Sequence, residues 1–355
     1  MDRALLDQLA PMLATDLRDL PSADQDRVWN TPDFVAEEKL NGIRALLHIG
    51  QSESRLTTRV RSKRTGLYLE RSDNFPHLRD LPVSFLEGTV LDGELLLDKA
   101  RLFTGTTWAH GSLSCTMAVC SSSPARAVEI QGREGKADYC VFDIIRDRGA
   151  AVEGFPLSER RRRLESVFVE LRKRGISLES LRLVPQVQEK KRAFYAQVLR
   201  DGGEGVMLKH RDGLYQHAGR SPRVLKAKRS LTVDGFIIGS TAGKNGNAGL
   251  VGSLRIGVYD ADTGEIREIA GVAPYDLSRG PKKSNLRRAM TVLLSGAPEL
   301  APGFQGRVVE IEAFCWNKNA RLVHAKLARF RPDKDKADCR VDFSSLGVAD
   351  AVDPG

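Results

Sequence analysis

Apolar residues along this chain recur with two different periods, and the switches between them mark out its elements. From Ser158 onward, Leu164, Val167, Phe168 and Leu171 fall at i, i+3, i+4 and i+7, one face of a helix that Gly175 stops. Shorter runs that alternate or stay apolar predict strands at 43–49, 56–60, 88–97, 138–145 and 205–209, and Phe34–Val35–Ala36–Glu37–Glu38 reads as another. Residues 5–20 read as a short helical lead-in, and Pro21 and Pro32 bracket an irregular stretch. Beyond Lys228 the texture changes to strands at 233–240, 253–259, 265–272 and 307–314, separated by glycine-rich turns such as Gly243–Lys244–Asn245–Gly246–Asn247–Ala248–Gly249. Short strands at such close spacing predict a small barrel, with the boundary at Arg229–Thr232.

Length agrees with that division, since 355 residues at roughly 150 per domain make about two domains. With 55 Lys and Arg against 46 Asp and Glu the formal charge is +9, which favours a polyanionic partner. A hydrophobic content of 41% with 28% charged residues excludes collagen-like, coiled-coil-only and wholly disordered chains. Apolar runs such as Ala45–Leu46–Leu47 and Leu95–Leu96–Leu97 fall far short of the roughly 20 residues of a membrane-spanning helix. Asp2, Asp7, Asp16 and Asp19 near the N-terminus leave no basic start or apolar leader, so the chain reads as cytoplasmic. Its five cysteines form no CxxC pair and read as reduced thiols, and its six histidines show no metal-binding cluster. The run Arg160–Arg163 lies on the first turn of the 158–175 helix, where cations oppose the helix dipole; it reads as a solvated face rather than a nucleic-acid contact.

Six short polar signatures carry the chemistry. They are Glu37–Glu38–Lys39–Leu40–Asn41–Gly42–Ile43–Arg44, Leu91–Asp92–Gly93–Glu94, Tyr139–Cys140–Val141–Phe142–Asp143, Glu204–Gly205–Val206–Met207–Leu208–Lys209, Leu225–Lys226–Ala227–Lys228 and Arg329–Phe330–Arg331–Pro332–Asp333–Lys334. Taken singly, KxxG is a turn, DGE a strand end and LKAK an edge strand guarded by lysines. In this order they supply a nucleophilic lysine, two carboxylates for a metal, an aromatic ring and several cations. Nucleotidyl transfer needs that set, because its catalysis is largely positioning and neutralisation of charge on the transferring phosphorus.

The ordered set resembles the covalent nucleotidyltransferase superfamily and, within it, the ATP-dependent DNA ligases. Lys39–Leu40–Asn41–Gly42–Ile43–Arg44 is similar to that family's KxDGxR, and Arg61–Ser62–Lys63–Arg64–Thr65–Gly66 to its S-R-x-G element, with Lys63 and Arg64 competing for the basic position. LDGEL, YCVFD, EGVMLK and LKAK resemble the next four motifs, and RFRPDK the C-terminal RxDK. The resemblance covers about residues 30–340. It implies an α+β fold: a nucleotidyltransferase (ATP-grasp-like) domain of mixed antiparallel sheets and helices over 1–230, an OB-fold β-barrel over 231–345 and a tail over 346–355.

Carried over residue by residue, the resemblance makes Lys39 the nucleophile that attacks the α-phosphate of ATP. Lys226 and Lys228, with bound Mg²⁺ or Mn²⁺, would lower the lysine's proton affinity and hold the α-phosphate, while Glu94 and Glu204 would place the sugar and the metal. Phe142 would stack on adenine, Glu37 would lie near its exocyclic amine, and Arg44 and Arg64 would contact ribose or phosphate. Arg331, Asp333 and Lys334 would close over the β- and γ-phosphates. The implied reaction ends with AMP on the 5′-phosphate of nicked double-stranded DNA and attack by the 3′-hydroxyl, carried out by a monomer with no membrane partner. Lys282–Lys283, Arg287–Arg288 and the loop around Lys244 are candidates for DNA backbone contact.

Asn41 stands where the family has aspartate, which removes a negative charge beside the lysine. RNA ligases of the superfamily tolerate variation there, which keeps an RNA ligase as a rival reading. A GTP-dependent capping guanylyltransferase and a non-catalytic nucleic-acid-binding protein are the others. With about 30 residues ahead of the first motif, the chain reads as a minimal ligase lacking the large N-terminal DNA-binding domain. The zinc-binding cysteines of the NAD-dependent class are absent.

Overall fold

Pro21 and Pro32 punctuate a helix instead of an irregular stretch. Helix α1 (Ser22–Asn30) starts directly after Pro21, ends ahead of Pro32 and buries Val28 and Trp29. Proline's fixed φ suits a helix start, and its missing N–H suits the residues just past an end. The helical lead-in expected over 5–20 is also corrected: strand β1 (Leu13–Asp16) and a 3-10 turn at Leu17–Asp19 occupy its C-terminal part. Pro11 has no N–H to give a helix, and Leu13–Asp16 instead pairs in parallel with residues 220–226, far along the chain.

The computed structural model describes residues 6, 8–97, 103–104, 107–108, 113–274, 283–294, 297–317 and 319–346, and the chain divides between Lys228 and Arg229 into two compact units. Lys282 and the tail from residue 347 lie outside the described residues. Among those residues no helix is long and apolar enough to cross a membrane. After α1 the first unit continues with β2 (Phe34–Glu38), β3 (Ile43–Ile49), β4 (Ser54–Arg61), β5 (Tyr68–Glu70) and β6 (Val90–Leu96). Helix α2 (Pro124–Glu134), β7 (Asp138–Asp147), helix α3 (Leu157–Lys173), β8 (Leu181–Leu183), helix α4 (Lys191–Arg200), β9 (Gly205–His210) and β10 (Arg220–Lys228) are the principal elements that follow.

These strands form two sheets. One runs in the order β1, β10, β9, β2; the other runs from Ala150–Ala151 through β7, β6, β3 and β4 to β5, with β8 beside β7. The alternation of strand side chains gives each sheet two different faces. Ala45, Leu47 and Ile49 of β3 and Leu91 and Leu95 of β6 pack into a core shared with Leu164, Phe168 and Leu171 of α3. Val206 and Leu208 of β9 and Leu225 of β10 pack with Trp29, Phe194 and Val198 of the helices on the outer side of the other sheet. Residues of the opposite parity, Leu46, Val90, Met207 and Val224, meet in a smaller cluster between the sheets. That inner layer is only partly apolar, and the polar motif residues share its parity.

Helix α3 shows what periodicity alone cannot see. Arg160 is one of the most deeply buried large side chains, correcting its reading as part of a solvated face. Its Nε and Nη2 donate to the two oxygens of Asp143 at 2.8 and 2.9 Å, and its Nη1 donates to the carbonyls of Phe155 and Gly213. Burial pushes the Asp143 carboxyl up, but the guanidinium overrides it and holds the group below the usual carboxylate range. Arg162, at 74% exposure, does sit in solvent.

The second unit is built on β11 (Leu231–Ala242), β12 (Val251–Asp260), β13 (Ile266–Val272), β14 (Val308–Ala313) and β15 (Lys326–Phe330). They pair antiparallel in the order β13, β12, β11, β14, β15 around a core that includes Ile237, Leu254, Ile256, Val309 and Ile311. Among the described residues this sheet does not close on itself, so a complete barrel is not formed. The molecule is thus a mixed α+β protein with several sheets. The split within the arginine run can be measured: Asp143→Ala, which strands a buried guanidinium, is expected to lower stability by about 3–5 kcal/mol in urea unfolding, and Arg162→Ala by under about 1 kcal/mol.

Candidate active site

Lys39–Gly42 carry the chain from the end of β2 to the start of β3, and so from one sheet to the other. The backbone N–H of Lys39 donates to the carbonyl of Gly205 at 2.8 Å, which ties this link to β9. Two glycines allow the approach. A Cβ on Gly42 would lie 2.1 Å from the Leu95 carbonyl oxygen, and one on Gly205, whose φ is +141°, would lie 2.1 Å from that of Ala227. Glycine is required at both by contact with neighbouring backbone, and at Gly205 by φ as well.

The link delivers Lys39 to the carboxylates of the inter-sheet layer. Its Nζ lies 2.5 Å from Glu204 Oε2, with the two side chains 22% and 17% exposed. Glu94 stands directly opposite Arg44 in the β3–β6 pairing, next to the backbone of Gly42. Burial pushes the Glu94 carboxyl up to about 7, against the opposing pull of Lys39 and Arg44. Arg44 forks onto Asp92 with Nε and Nη2 at 2.9 and 2.5 Å, and its Nη1 donates to the Met12 carbonyl at 2.6 Å. Burial works against the Arg44 charge but Asp92 overrides it. Tyr215 donates its hydroxyl to Asp92 at 2.6 Å, so the Asp92 side chain, buried at 0% exposure, is fully engaged.

A second cluster surrounds Phe142. Lys209 Nζ lies 2.5 Å from Glu37 Oε2 and 4.4 Å from the centroid of the Phe142 ring, while Arg44 approaches the same ring at 5.2 Å. Gln186 donates to Glu37 Oε1 at 2.8 Å. Lys226 and Lys228 of β10 are half-buried and share a strand face; Lys226 stands opposite Met207 of β9 and Asp16 of β1, and Lys228 opposite Gly205.

The structure therefore brings Lys39 together with Glu204, Arg44 with Asp92 and Phe142, and Glu37 with Lys209 and Phe142. Lys63 and Arg64 lie elsewhere, exposed on the turn between β4 and β5. Arg331 and Lys334 belong to the second unit. There Arg331 donates to Asp333 at 2.8 Å, Asp234 at 3.1 Å and Glu310 at 3.2 Å, and Lys334 to Asp234 at 2.5 Å. Arg287 donates to the Gly252 carbonyl at 2.7 Å; among the described side chains of the basic candidates, Arg288 and Lys244 are exposed.

Several participants carried no role in the sequence reading. Asp92 and Lys209 sit inside quoted motifs at the parity of Glu94 and Met207, and that parity is the signal that finds them. Gln186 and Tyr215 lie between motifs, where no sequence signal marks them. Among the described residues no three His, Cys, Asp or Glu gather as a metal cluster. Glu94 and Glu204 are both carboxylates near Lys39, and Mg²⁺ is a cation commonly held by one or two carboxylates together with substrate phosphates. The arrangement as a whole gathers amines, carboxylates and an aromatic ring in the layer between the two sheets.

Known proteins share both the sequence and the fold. The DNA ligase of Methanothermobacter thermautotrophicus is 32% identical over 142 residues, 40% of this chain and 25% of that protein. That of Methanothrix thermoacetophila is 36% identical over 135 residues, 38% of this chain and 23% of that protein. The matched stretch thus spans about a quarter of these relatives. A solved structure described as "DNA binding with a minimal scaffold: Structure-function analysis of Lig E DNA ligases" shares the fold at a TM-score of 0.55 and 22% identity, covering 91% of this chain and 99% of that one. The family model for the ATP dependent DNA ligase domain matches residues 11–228, more than half of the chain, which therefore belongs to the ATP-dependent DNA ligase family.

Proposed function

We propose that this chain seals nicks in duplex DNA with ATP through a lysyl-AMP intermediate on Lys39. The observation that carries this reading is the Lys39–Glu204 pair, 2.5 Å apart, which joins the link between the two sheets to the start of β9. In this reading the first unit is the adenylation domain. The second is an OB-type module, whose five antiparallel strands in open order suit a partly open barrel.

The Lys39 ammonium passes its proton to a neighbouring carboxylate, with Glu204 already in contact, and the freed lone pair attacks the α-phosphorus. A P–N bond forms as the bond to pyrophosphate breaks. Lys226 and Lys228 hold the α-phosphate oxygens as charge shifts among them. Phe142 supplies the ring for the base, and Arg44, held by Asp92, meets ribose or phosphate. Glu94 and Glu204 would hold Mg²⁺, which neutralises phosphate oxygens when bound. Arg64 contacts phosphate from its exposed turn. Arg331 and Lys334 exchange Asp234 and Glu310 for the β- and γ-phosphates, while Asp333 keeps its hold on Arg331. The 5′-phosphate oxygen of the nick then takes AMP from Lys39, breaking the P–N bond, and the 3′-hydroxyl displaces AMP to complete the phosphodiester. Arg288 and Lys244 contact the DNA backbone, which makes binding fall steeply with salt.

The test is labelling with α-phosphate-radiolabelled ATP or GTP after resident AMP has been removed with pyrophosphate. An acid-stable adduct with ATP, absent in Lys39→Ala, followed by sealing of nicked DNA in preference to nicked RNA, is the expected result. No adduct with either nucleotide would overturn the reading, and preference for nicked RNA would move it to an RNA ligase.

Glu94 supplies a second prediction, on stability. Its folded pKa, about 7, is raised above the usual 4.5, so its contribution is fully present below pH 4.5 and is lost as pH rises through 7. Glu94→Gln, which cannot ionise, is expected to gain stability relative to the parent between those pH values. Urea midpoints of both proteins at pH 5 and pH 8 check this; a difference that does not change with pH would contradict it.

A further inference from the structure

Arg44, Asp92, Tyr215 and Met12 are joined in a closed ring of hydrogen bonds. Arg44 forks onto Asp92 with Nε at 2.9 Å and Nη2 at 2.5 Å, and Asp92 also accepts the Tyr215 hydroxyl at 2.6 Å. That hydroxyl accepts the backbone N–H of Met12 at 3.1 Å, and the Met12 carbonyl accepts Arg44 Nη1 at 2.6 Å, which closes the circuit. The four members come from β3, from β6, from the connection between β9 and β10, and from the residue just ahead of β1.

The ring is held from outside as well. Asp92 is 0% and Tyr215 5% exposed, so water does not compete for their bonds. Burial, with the Asp92 carboxylate beside it, pushes the Tyr215 hydroxyl well above the usual tyrosine range, so it keeps its proton and remains a donor. The Tyr215 backbone N–H donates to the Glu153 carbonyl at 3.0 Å, and Arg160 lies 5.7 Å from the centroid of its ring. On the other side, the Leu13 N–H donates to the Gly219 carbonyl at 2.7 Å and Thr15 Oγ1 to that of Ser221 at 3.0 Å. The segments that carry Met12 and Tyr215 are therefore fixed to each other beyond the ring.

A guanidinium has five N–H groups. The ring engages one on Nε and one on each Nη, which leaves a further N–H on each Nη of a side chain that is 22% exposed. A long side chain that has to be ordered when a ligand arrives costs binding energy, and one ordered beforehand does not.

We propose that Tyr215 is a positioning residue that acts through Asp92 and Arg44: with the backbone of Met12 it pre-orders the guanidinium, whose two remaining N–H groups meet oxygen atoms of the bound substrate. The inference rests on the ligase reading above and deepens it, because it gives the segment ahead of β1 and the β9–β10 connection a part in the reaction.

The experiment follows two steps in the full chain: formation of the Lys39 adduct with ATP, and sealing of nicked DNA that already carries AMP on its 5′-phosphate. Tyr215→Phe keeps the ring and its packing and removes only the hydroxyl. It is expected to reproduce the pattern of Arg44→Lys across the two steps, with a loss of roughly five- to thirtyfold in kcat/KM at the step more affected. In an Arg44→Lys background, where lysine keeps the charge but has no fork to aim, Tyr215→Phe adds less than about twofold. Thr15→Val is the matched control. It removes a hydrogen bond between the same two segments outside the ring, so it lowers the thermal midpoint as Tyr215→Phe does but leaves both steps within about twofold of the parent. Losses that multiply in the double variant, a pattern across the steps unlike that of Arg44→Lys, unchanged rates in Tyr215→Phe, or equal slowing by Thr15→Val would each overturn the proposal and reduce Tyr215 to a structural role. A parent that labels with neither ATP nor GTP would instead remove the ligase reading itself, and this inference with it.

Discussion

The site depends on how closely four residues can pass between two sheets. Lys39–Gly42 bridge β2 and β3, and the bridge is short because Gly42 lies against the Leu95 carbonyl where no Cβ fits. The hydrogen bond from the Lys39 N–H to Gly205 fixes the other end of the same link. Gly205 in turn adjoins Glu204, so the backbone contact and the side-chain ion pair are set by one local geometry. A longer link would free the lysine from the strand that carries its carboxylate.

Charge is distributed in the inner layer as pairs. Lys39 with Glu204, Arg44 with Asp92 and Lys209 with Glu37 each join a cation to a carboxylate from a different segment of the chain. Isolated, any of these charges would be costly to hold away from water; paired, each is held in a defined place. The pairs differ in exposure, and the difference sorts them. Asp92 and Glu37 are enclosed with their partners, whereas Lys39 and Glu204 remain partly open to solvent. In the second unit Arg331 and Lys334 follow the second pattern, with Asp234 as the shared carboxylate.

Much of this was legible in the chain. The strands around the motifs follow from apolar alternation, because each sheet has helices on one side and a mostly polar layer on the other. What escaped depends on contacts between distant segments. Strand β1 exists because residues 220–226 offer it an edge, a fact absent from its own sequence. Arg160 reads as solvent-facing because it begins a run of four arginines, yet it serves Asp143 from inside the protein. Gln186 and Tyr215 belong to no motif and reach the site only through the fold. The motif residues were visible as a set, but their grouping was not: Glu37 partners Lys209, from the fourth motif, and Arg44 partners Asp92, from the second.

The parity of β6 has a consequence for how such a chain can change over time. Asp92 and Glu94 face the inner layer only because Leu91 and Leu95 face the helices. Inserting or deleting one residue within that strand would exchange the two sets, turning two carboxylates into an apolar core and two leucines toward the inner layer. The same holds for β9, where Val206 and Leu208 alternate with Met207 and Lys209. A change of length within either strand therefore disturbs the core and the inner layer together, a constraint that the connections do not carry.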